Sequence, residues 1–288
     1  MSEPTCALDA WRFAVPRLRD GLNLFVSDDP IEELLLRGPN KGTKTETATK
    51  YVLECLRKSE SFDGVALPQW EGPVHALALC LDYPQQKLSV QQTVLRLIRG
   101  WPHKARFKGD RILSSLTVAP IGEDVSESEW SELIFLSEEN RNTGTGARAD
   151  VTWFDEPPDM DILRELRKAP HANRRGIRLI GNTPINVDQW YPLAEDYGDL
   201  LLDDKATRST LRRVDAERAE CRWSLSEVAD WVLSEKEKEK LRRIYANDPH
   251  KDAREHGDYI DASGTCPFDN KALKAMLESA KAGVRRAA

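Results

Sequence analysis

Short apolar runs alternate with amphipathic segments along the first two thirds of the chain. A continuous apolar run of about four to eight residues predicts a strand buried on both faces, whereas apolar residues three or four positions apart predict a helix. The predicted strands are residues 33–37, 74–81, 112–118, 133–136, 151–154 and 177–180, and the predicted helices are residues 45–57, 90–98 and 159–167. Buried strands that alternate with helices favour a mostly parallel central sheet flanked by helices. The predicted fold class is therefore α/β.

The pattern changes after Pro192, where the apolar runs stop. Residues 203–243 are rich in charge and are predicted to be helical, and residues 235–240 alternate Glu and Lys as a solvated helix face does. We therefore predict a core domain over residues 1–200 and a small helical C-terminal subdomain over residues 201–288.

Composition restricts the classes of protein to consider. Hydrophobic residues make up 40% of the 288 and charged residues 31%, which is ordinary for a folded domain and too apolar for disorder. The 42 basic and 48 acidic residues give a formal net charge of −6. A protein that mainly coats DNA usually has the opposite balance. Any DNA contact is therefore predicted to be small, local or shared among subunits.

Cysteine spacing and the apolar stretches bear on location. The five cysteines, at positions 6, 55, 80, 221 and 266, include no pair with zinc-ligand spacing, so reduced thiols are expected. Residues 1–11 lack the apolar core of a signal peptide, and the most apolar stretch, residues 74–81, is too short to span a bilayer. These features predict a soluble intracellular protein that has no membrane partner.

Residues 38–45 lie between a predicted strand and a predicted helix and resemble a phosphate-binding loop. That loop has a glycine, four free positions and then Gly-Lys-Ser/Thr. Gly38, Lys44 and Thr45 keep this spacing, whereas Thr43 stands in the second glycine position and the glycine comes one place early, at Gly42. The predicted nucleotide-binding residues of the loop are Gly38, Pro39, Asn40, Lys41, Gly42, Thr43, Lys44 and Thr45.

The chemistry of such a loop gives each group a task. Backbone N–H groups and the helix N-terminus hold the phosphates, Lys44 would reach the β- and γ-phosphates, and the Thr45 hydroxyl would bind Mg²⁺. The alternative is a tight strand-to-helix turn whose lysine is merely exposed. The strand before the loop and the helix after it favour the phosphate site.

A second candidate group is the acidic pair Asp155 and Glu156, which ends the apolar strand 151–154. In P-loop ATPases the first acid at such a strand end binds Mg²⁺, and the second polarises the attacking water. We therefore assign Asp155 to the metal and Glu156 to catalysis. The alternative is a polar strand end whose acids favour the N-terminus of the following helix.

Asn182 and Thr183 follow the next predicted strand, at the edge where open parallel sheets bind ligands. A polar residue there can touch the γ-phosphate or its water. Both residues are therefore candidates for nucleotide contact, and a capped turn before Pro184 is the alternative.

Taken together, these segments resemble the ATPase domain of large terminase subunits from tailed bacteriophages, which is a P-loop NTPase. The resemblance lies in residues 37–46, in residues 137–146 before the acidic strand, in residues 155–158, and in residues 182–185, which look like that family's coupling motif. Residues 254–259 and 266–268 look like the family's segment between ATPase and nuclease. The match extends from about residue 32 to residue 270.

The resemblance implies an ATPase motor that uses ATP and Mg²⁺ to move double-stranded viral DNA into a procapsid in the host cytoplasm. The implied partners are the portal protein, the small terminase subunit and further copies of this chain in a pentameric ring. In the family, Lys41 would contact phosphate, and an arginine before the acidic strand reaches the neighbouring subunit's ATP. Arg148 is the first candidate for that arginine and Arg141 the second. The alternative for Arg148 is a surface arginine or a local pair with Asp150.

The chain departs from the family pattern in three respects. It has Thr145-Gly146 where the family often has Arg-Gly, and residues 1–30 contain no recognisable adenine-binding motif. It also ends about twenty residues after the linker-like segment, so the family's nuclease domain, and nuclease activity, are expected to be absent from this chain.

Two other functions fit the same motifs. One is a helicase-like DNA translocase, which should carry a second motor domain, and the other is a nucleotide-binding assembly protein that does not hydrolyse ATP. Possible DNA contacts are the basic groups Lys104, Arg106, Lys108 and Arg111, or Arg174 and Arg175, although basic clusters of this size are usually solvated surface.

Overall fold

The computed structural model describes residues 12–39, 43–109, 111–122, 125–138, 149–168, 175–184, 187–198 and 209–259. Its strands are β1 (Glu33–Arg37), β2 (Ser61–Phe62), β3 (Val65–Ala66), β4 (His75–Cys80), β5 (His103–Lys108), β6 (Ile112–Val118), β7 (Ser131–Ser137), β8 (Val151–Phe154), β9 (Ile177–Asn182), β10 (Leu211–Arg213) and β11 (Arg218–Arg222). Its α-helices are α1 (Pro16–Asn23), α2 (Lys44–Leu56), α3 (Tyr83–Gln86), α4 (Gln92–Leu97), α5 (Met160–Lys168), α6 (Val187–Asp196), α7 (Glu235–Tyr245) and α8 (Lys251–His256).

A nine-stranded sheet forms the centre of the fold, in the order β10-β11-β1-β9-β8-β4-β7-β6-β5. The six central strands from β11 to β7 are parallel, and β10, β6 and β5 run antiparallel to their neighbours. Strands β2 and β3 form a separate hairpin. The predicted α/β class with a mostly parallel sheet is confirmed.

Both faces of the sheet are buried, which explains the continuous apolar runs. In β1, Leu34 and Leu36 belong to a large apolar cluster that includes Val52 of α2, whereas Leu35 belongs to a second cluster that includes Leu163 of α5. Successive strand residues point to opposite faces, so a strand covered by helices on both sides has no polar alternation.

The helical segment that contains the helix predicted over residues 90–98 begins before residue 90. α3 starts at Tyr83, a π-helical turn spans Lys87–Gln91, and α4 follows. The carboxylate of Asp82 accepts a 2.6 Å hydrogen bond from the Gln85 amide, which caps the first turn.

The prediction that residues 203–243 are helical is wrong at Leu211–Arg213 and Arg218–Arg222, which form β10 and β11. β11 pairs with β1, so strands of the central sheet lie on both sides of the predicted domain boundary at residue 200, which stays a prediction. The strand escaped detection because its buried residues include charges. The Glu220 carboxylate lies 2.6 Å from Arg37 Nε and 3.0 Å from Arg212 Nη2.

Beyond β11, a small apolar cluster of Leu225, Leu241 and Tyr245 anchors α7. This helix begins with a capping box, in which Ser234 and Glu237 satisfy each other's backbone amides. None of the helices in the described parts of the chain is long and apolar enough to cross a membrane.

A buried ion cluster surrounds Glu33, at the start of β1. Its carboxylate accepts hydrogen bonds from Arg167 Nε (2.8 Å), Arg178 Nε (3.1 Å) and the Tyr197 hydroxyl (2.7 Å). Burial raises the pKa of Glu33, but Arg167, Tyr197 and Arg178 together outweigh it and hold the pKa below its ordinary value of 4.5. The cluster joins β1 to α5, β9 and the end of α6.

Replacing Glu33 with glutamine is expected to lower the free energy of unfolding by about 3 kcal/mol, because the largely buried Arg178 and the partly exposed Arg167 lose their shared, fully buried carboxylate. Since the folded pKa is depressed, the stabilisation is present above pH 4.5 and is lost as the pH falls through the lower folded value. Urea denaturation at neutral and acid pH measures both effects.

Glu32→Gln is the matched control, since Glu32 is 39% exposed and also pairs with Arg178. Its cost should be below about 1 kcal/mol. Equal losses in the two variants would contradict a special role for the buried Glu33.

Candidate functional site

Three neighbouring parallel strands bring the predicted site residues to one edge of the sheet. β9 lies between β1 and β8, so the segments that follow these strands meet at their carboxyl ends. Gly38 follows β1, Asp155 follows β8, and Asn182 ends β9. Open parallel sheets bind ligands at this edge.

Gly38 occupies a position without space for a side chain. A Cβ atom there would lie 2.9 Å from Cδ2 of Trp223 and closer still to two other ring atoms. On another side, a Cβ atom added to Gly257 would lie 3.1 Å from the Gly38 Cα. The loop therefore starts in a slot between Trp223, which follows β11, and the segment after α8.

Thr43 carries the strain of the altered loop sequence. Its φ is 67° and its ψ is 14°, which is left-handed backbone at the N-cap of α2. This conformation suits glycine and costs a β-branched residue about 1–2 kcal/mol. Threonine thus stands at a loop position whose backbone conformation favours glycine.

We expect Thr43→Gly to be more stable than Thr43→Ala by about 1 kcal/mol, because only glycine adopts this conformation without Cβ strain. Both variants lose the threonine side-chain contacts, so their difference isolates the backbone term. Chemical denaturation of the two proteins side by side measures it. Equal stability of the two variants would show that the left-handed conformation is not strained.

Lys44 begins α2 and points back along the loop. Its Nζ donates 2.9 Å hydrogen bonds to the carbonyl oxygens of Gly38 and Pro39, and the residue is 8% exposed. Burial lowers the pKa of Lys44 to about 8, although attraction to Glu156 and Asp155 opposes the shift. The ammonium group is therefore weakly solvated and lies near both acids, where a phosphate would compete for it.

Thr45 and Asp155 form the contact that joins the loop to the acidic strand. The Thr45 hydroxyl donates a 2.7 Å hydrogen bond to Oδ1 of Asp155 across 110 residues of sequence. Burial raises the pKa of Asp155, while the hydrogen bond from Thr45 and the charge of Lys44 lower it in part. The Thr45 hydroxyl and the Asp155 carboxylate are close enough together to bind one Mg²⁺ ion, whose other ligands would be phosphate oxygens and water.

No group of three or more His, Cys, Asp or Glu side chains that could hold a metal ion occurs among the residues that the structure describes. A cation at Thr45 and Asp155 would take further ligands from the phosphates of a nucleotide. Mg²⁺ is commonly bound in this way, by one or two carboxylates and the substrate phosphates. The donor set thus fits Mg²⁺ in complex with a nucleotide.

Glu156 is held beside Lys44 at the same edge. Burial raises the pKa of Glu156 to about 7, the charge of Lys44 lowers it, that of Asp155 raises it further, and a hydrogen bond from the Thr183 backbone N–H lowers it. The side chain keeps partial exposure, unlike Asp155, which is 7% exposed. A carboxylate with a pKa near neutrality can accept a proton from water, as a general base does.

Asn182, the last residue of β9, has an unsatisfied side-chain amide. The residue is fully buried, its backbone carbonyl accepts a 3.2 Å hydrogen bond from the Gly38 amide, and neither side-chain amide atom has a hydrogen-bond partner among the described residues. An unpaired buried amide costs about 1–3 kcal/mol. Its neighbour Gly181 leaves room for β8, since a Cβ atom there would lie 3.1 Å from the Asp155 carbonyl carbon and nearer to its oxygen.

The structure thus brings together Gly38, Pro39, Thr43, Lys44, Thr45, Asp155, Glu156, Asn182 and Thr183. Asn40, Lys41, Gly42, Arg141 and Arg148 lie outside the described residues, as do Arg174 and residues 266–268. The chemical roles given to all these residues stay predictions.

Trp223 and Gly257 shape the loop entrance and were missed from the sequence. Trp223 directly follows β11, so a correct strand assignment there would have placed it at the same carboxyl edge. Gly257 has φ 63° after α8, and no local pattern connects it with Gly38.

Comparison with solved structures shows the same architecture in large terminases of bacteriophages. The large terminase of a thermophilic bacteriophage superposes with a TM-score of 0.61 at 12% identity, over 86% of this chain and 54% of that one. The complex of the same terminase with ADP gives 0.58 at 14% identity, over 86% and 52%. The large terminase ATPase domain of Thermus phage P74-26 gives 0.56 at 15% identity, over 88% of this chain and 96% of that domain.

The chain therefore has the fold of large terminase ATPase domains, and it spans about half the length of the first of these terminase chains. No protein-family model matches the sequence, and no curated protein matches it either.

Proposed function

We propose that this chain is the ATP-hydrolysing motor of a phage DNA-packaging machine, acting as the ATPase domain of a large terminase does. The observation that carries the proposal is the hydrogen bond of Thr45 to Asp155, with Lys44 close to both acids. It joins the two motifs that hold Mg²⁺ and phosphate in P-loop ATPases, at the sheet edge where such enzymes bind nucleotide.

Each residue of the site has a separate role in the proposed hydrolysis. Lys44 would exchange its two loop carbonyls for phosphate oxygens of ATP, and Thr45 and Asp155 would hold Mg²⁺. The bound ion neutralises phosphate charge. Glu156 would take the proton of the attacking water, and the unpaired amide of Asn182 would bond the γ-phosphate or that water.

The fold supports this assignment beyond the residues of the site. One large terminase structure with this architecture contains ADP, and the chain covers nearly all of an isolated terminase ATPase domain. By this proposal the chain works with double-stranded DNA, a portal on a procapsid and a small terminase subunit, as a ring of its own copies. Arg148, with Arg141 as second choice, is the proposed arginine that reaches a neighbour's ATP.

Phosphate release from ATP by the purified chain tests the proposal. We expect slow turnover that requires Mg²⁺ and rises when procapsids with their portal and double-stranded DNA are added together. Full stimulation by DNA alone would favour a helicase-like translocase. Nucleotide binding without turnover, even on procapsids, would identify a nucleotide-binding assembly protein instead.

A further inference from the structure

A basic hairpin forms one edge of the central sheet. β5 is the last strand in the sheet order, and it pairs only with β6 in the described structure. The hairpin carries Lys104, Arg106 and Lys108 on β5 and Arg111 in the turn, and all four are exposed. These residues concentrate positive charge in a chain whose net charge is −6.

Three of these cations lack partners. Lys104 forms an ion pair with Glu127, but Arg106, Lys108 and Arg111 make no ion pair or side-chain hydrogen bond with any residue that the structure describes. Several other exposed arginines are paired, as Arg96 is with Glu46. Among the residues that the structure describes, the hairpin therefore keeps three cations without a counter-charge; Asp110, next to Arg111 in the sequence, lies outside those residues.

Strand geometry aligns the strand cations on one face. Lys104, Arg106 and Lys108 are every second residue of β5, about 7 Å apart in a regular strand. The pairing with β6 shifts register between Arg106 and Phe107, and the three cations lie opposite Thr117, Ser115 and Ile112. Between them, Ala105 lies opposite Leu116, which is buried in the core, so the basic side chains belong to the other face of the sheet.

The turn of the hairpin lies at the same sheet edge as the nucleotide site. β7 is parallel to β4 and β8, and β6 is antiparallel to it, so β6 starts where β7 ends, at the carboxyl edge. β5 is four strand positions from β8, which corresponds to about 19 Å. The turn of the hairpin is thus separate from the candidate nucleotide site but lies at the same edge of the sheet.

We propose that Arg106, Lys108 and Arg111 form a contact for the phosphate backbone of double-stranded DNA. The inference deepens the proposed function, on which it rests, by assigning the surface that holds the DNA. Unpaired cations bind phosphates without reading sequence, as a motor that must grip any stretch of a genome requires. Three such contacts give weak DNA binding per subunit, so that a subunit can release the DNA and bind it again.

Protection of the sheet edge against aggregation is the other use of basic residues on an edge strand. It accounts for Lys104, Arg106 and Lys108 within the ladder but not for Arg111. That residue lies in the turn, with φ 62°, beyond the last paired residues of β5. Arg175, the other described candidate for DNA contact, donates to the backbone carbonyls of Phe25 and Ile31, so its guanidinium is already engaged.

The test is the salt dependence of binding to a double-stranded DNA of arbitrary sequence, followed by fluorescence anisotropy with the full chain. The double variant Arg106→Ala/Lys108→Ala is compared with Lys236→Ala/Lys240→Ala. The control removes the same charge from exposed positions of α7 that have no ion pair with described residues.

The hairpin variant should bind at least about tenfold more weakly at low salt, and its slope of log affinity against log salt should fall by about 1.8. The control should stay within about twofold of the parent. No binding by the parent, or equal weakening in both variants, overturns the inference. ATP turnover measured on the same proteins separates the two proposals. DNA binding that depends on the hairpin, without ATP hydrolysis, would overturn the motor function and leave the DNA contact standing.

Discussion

Replacing Lys44 with alanine is expected to reduce ATP turnover by about a hundredfold to a thousandfold. This is the usual effect of removing one group that stabilises the charge of the transition state. Within the described part of the site, the Lys44 ammonium is the cation that lies against the loop, where it donates hydrogen bonds to the Gly38 and Pro39 carbonyls. Nucleotide affinity should also fall, because the β- and γ-phosphates lose this point charge.

Lys240→Ala, on the exposed side of α7, is the control for loss of a lysine and should turn over ATP at the parent rate. The folded state should tolerate Lys44→Ala, because burial already lowers the pKa of this lysine to about 8. Steady-state phosphate release measures the effect. Turnover within about twofold of the parent would mean that this loop is not the phosphate site.

Replacing Glu156 with glutamine should lower the rate of hydrolysis by about a hundredfold to ten-thousandfold while leaving Mg²⁺-ATP binding nearly unchanged. Glutamine keeps the shape of the side chain but cannot take a proton from water. Single-turnover hydrolysis and equilibrium nucleotide binding, measured on the same sample, separate the two effects. A variant that hydrolyses ATP at the parent rate would remove Glu156 from the catalytic step.

Asp155→Asn is the matched comparison, because it changes the adjacent carboxylate that bonds Thr45. Here the Mg²⁺-dependent part of nucleotide binding should weaken, since an amide is a poorer ligand for a hard cation. If both variants lose binding alike, the two acids do not have separate tasks.

Glu156→Gln should also stabilise the ligand-free chain. Burial raises the pKa of Glu156 to about 7, so the folded protein holds a proton that the unfolded chain releases near pH 4.5. Stability therefore falls as the pH rises between these values, and the penalty is complete above pH 7. At pH 8 the variant should gain about 1–2 kcal/mol, less than the full linkage value because Glu156 keeps partial exposure. The gain should disappear below pH 4.5.

The central sheet was predictable where burial left a plain apolar run. β1, β4, β8 and β9 are buried by helices on both faces, so their sequences contain few polar residues. β11 was not predictable in this way, since Arg218, Glu220 and Arg222 make its sequence look like a solvated helix. Their partners, which include Arg37 and Asp258, come from distant segments.

The site shows the same limit. The positions of Thr45 and Asp155 followed from their motifs, because parallel strands bring their carboxyl ends to one edge. Trp223 and Gly257 enclose Gly38 from segments about two hundred residues away, and such contacts depend on tertiary packing alone. The left-handed Thr43 falls between these cases. The sequence shows that Thr43 stands in the second glycine position of the loop, and only the structure shows that its backbone is left-handed.

A crystal structure of the chain with Mg²⁺ and a non-hydrolysable ATP analogue is the decisive test of the nucleotide site. We predict that Lys44 Nζ leaves the Gly38 and Pro39 carbonyls for the β- and γ-phosphates, and that Mg²⁺ lies between the Thr45 hydroxyl and the Asp155 carboxylate. The Asn182 amide should bond the γ-phosphate or a water beside Glu156. A nucleotide bound away from this sheet edge, or a bound nucleotide with Lys44 still on the Gly38 and Pro39 carbonyls, would show that these residues do not form the ATP site.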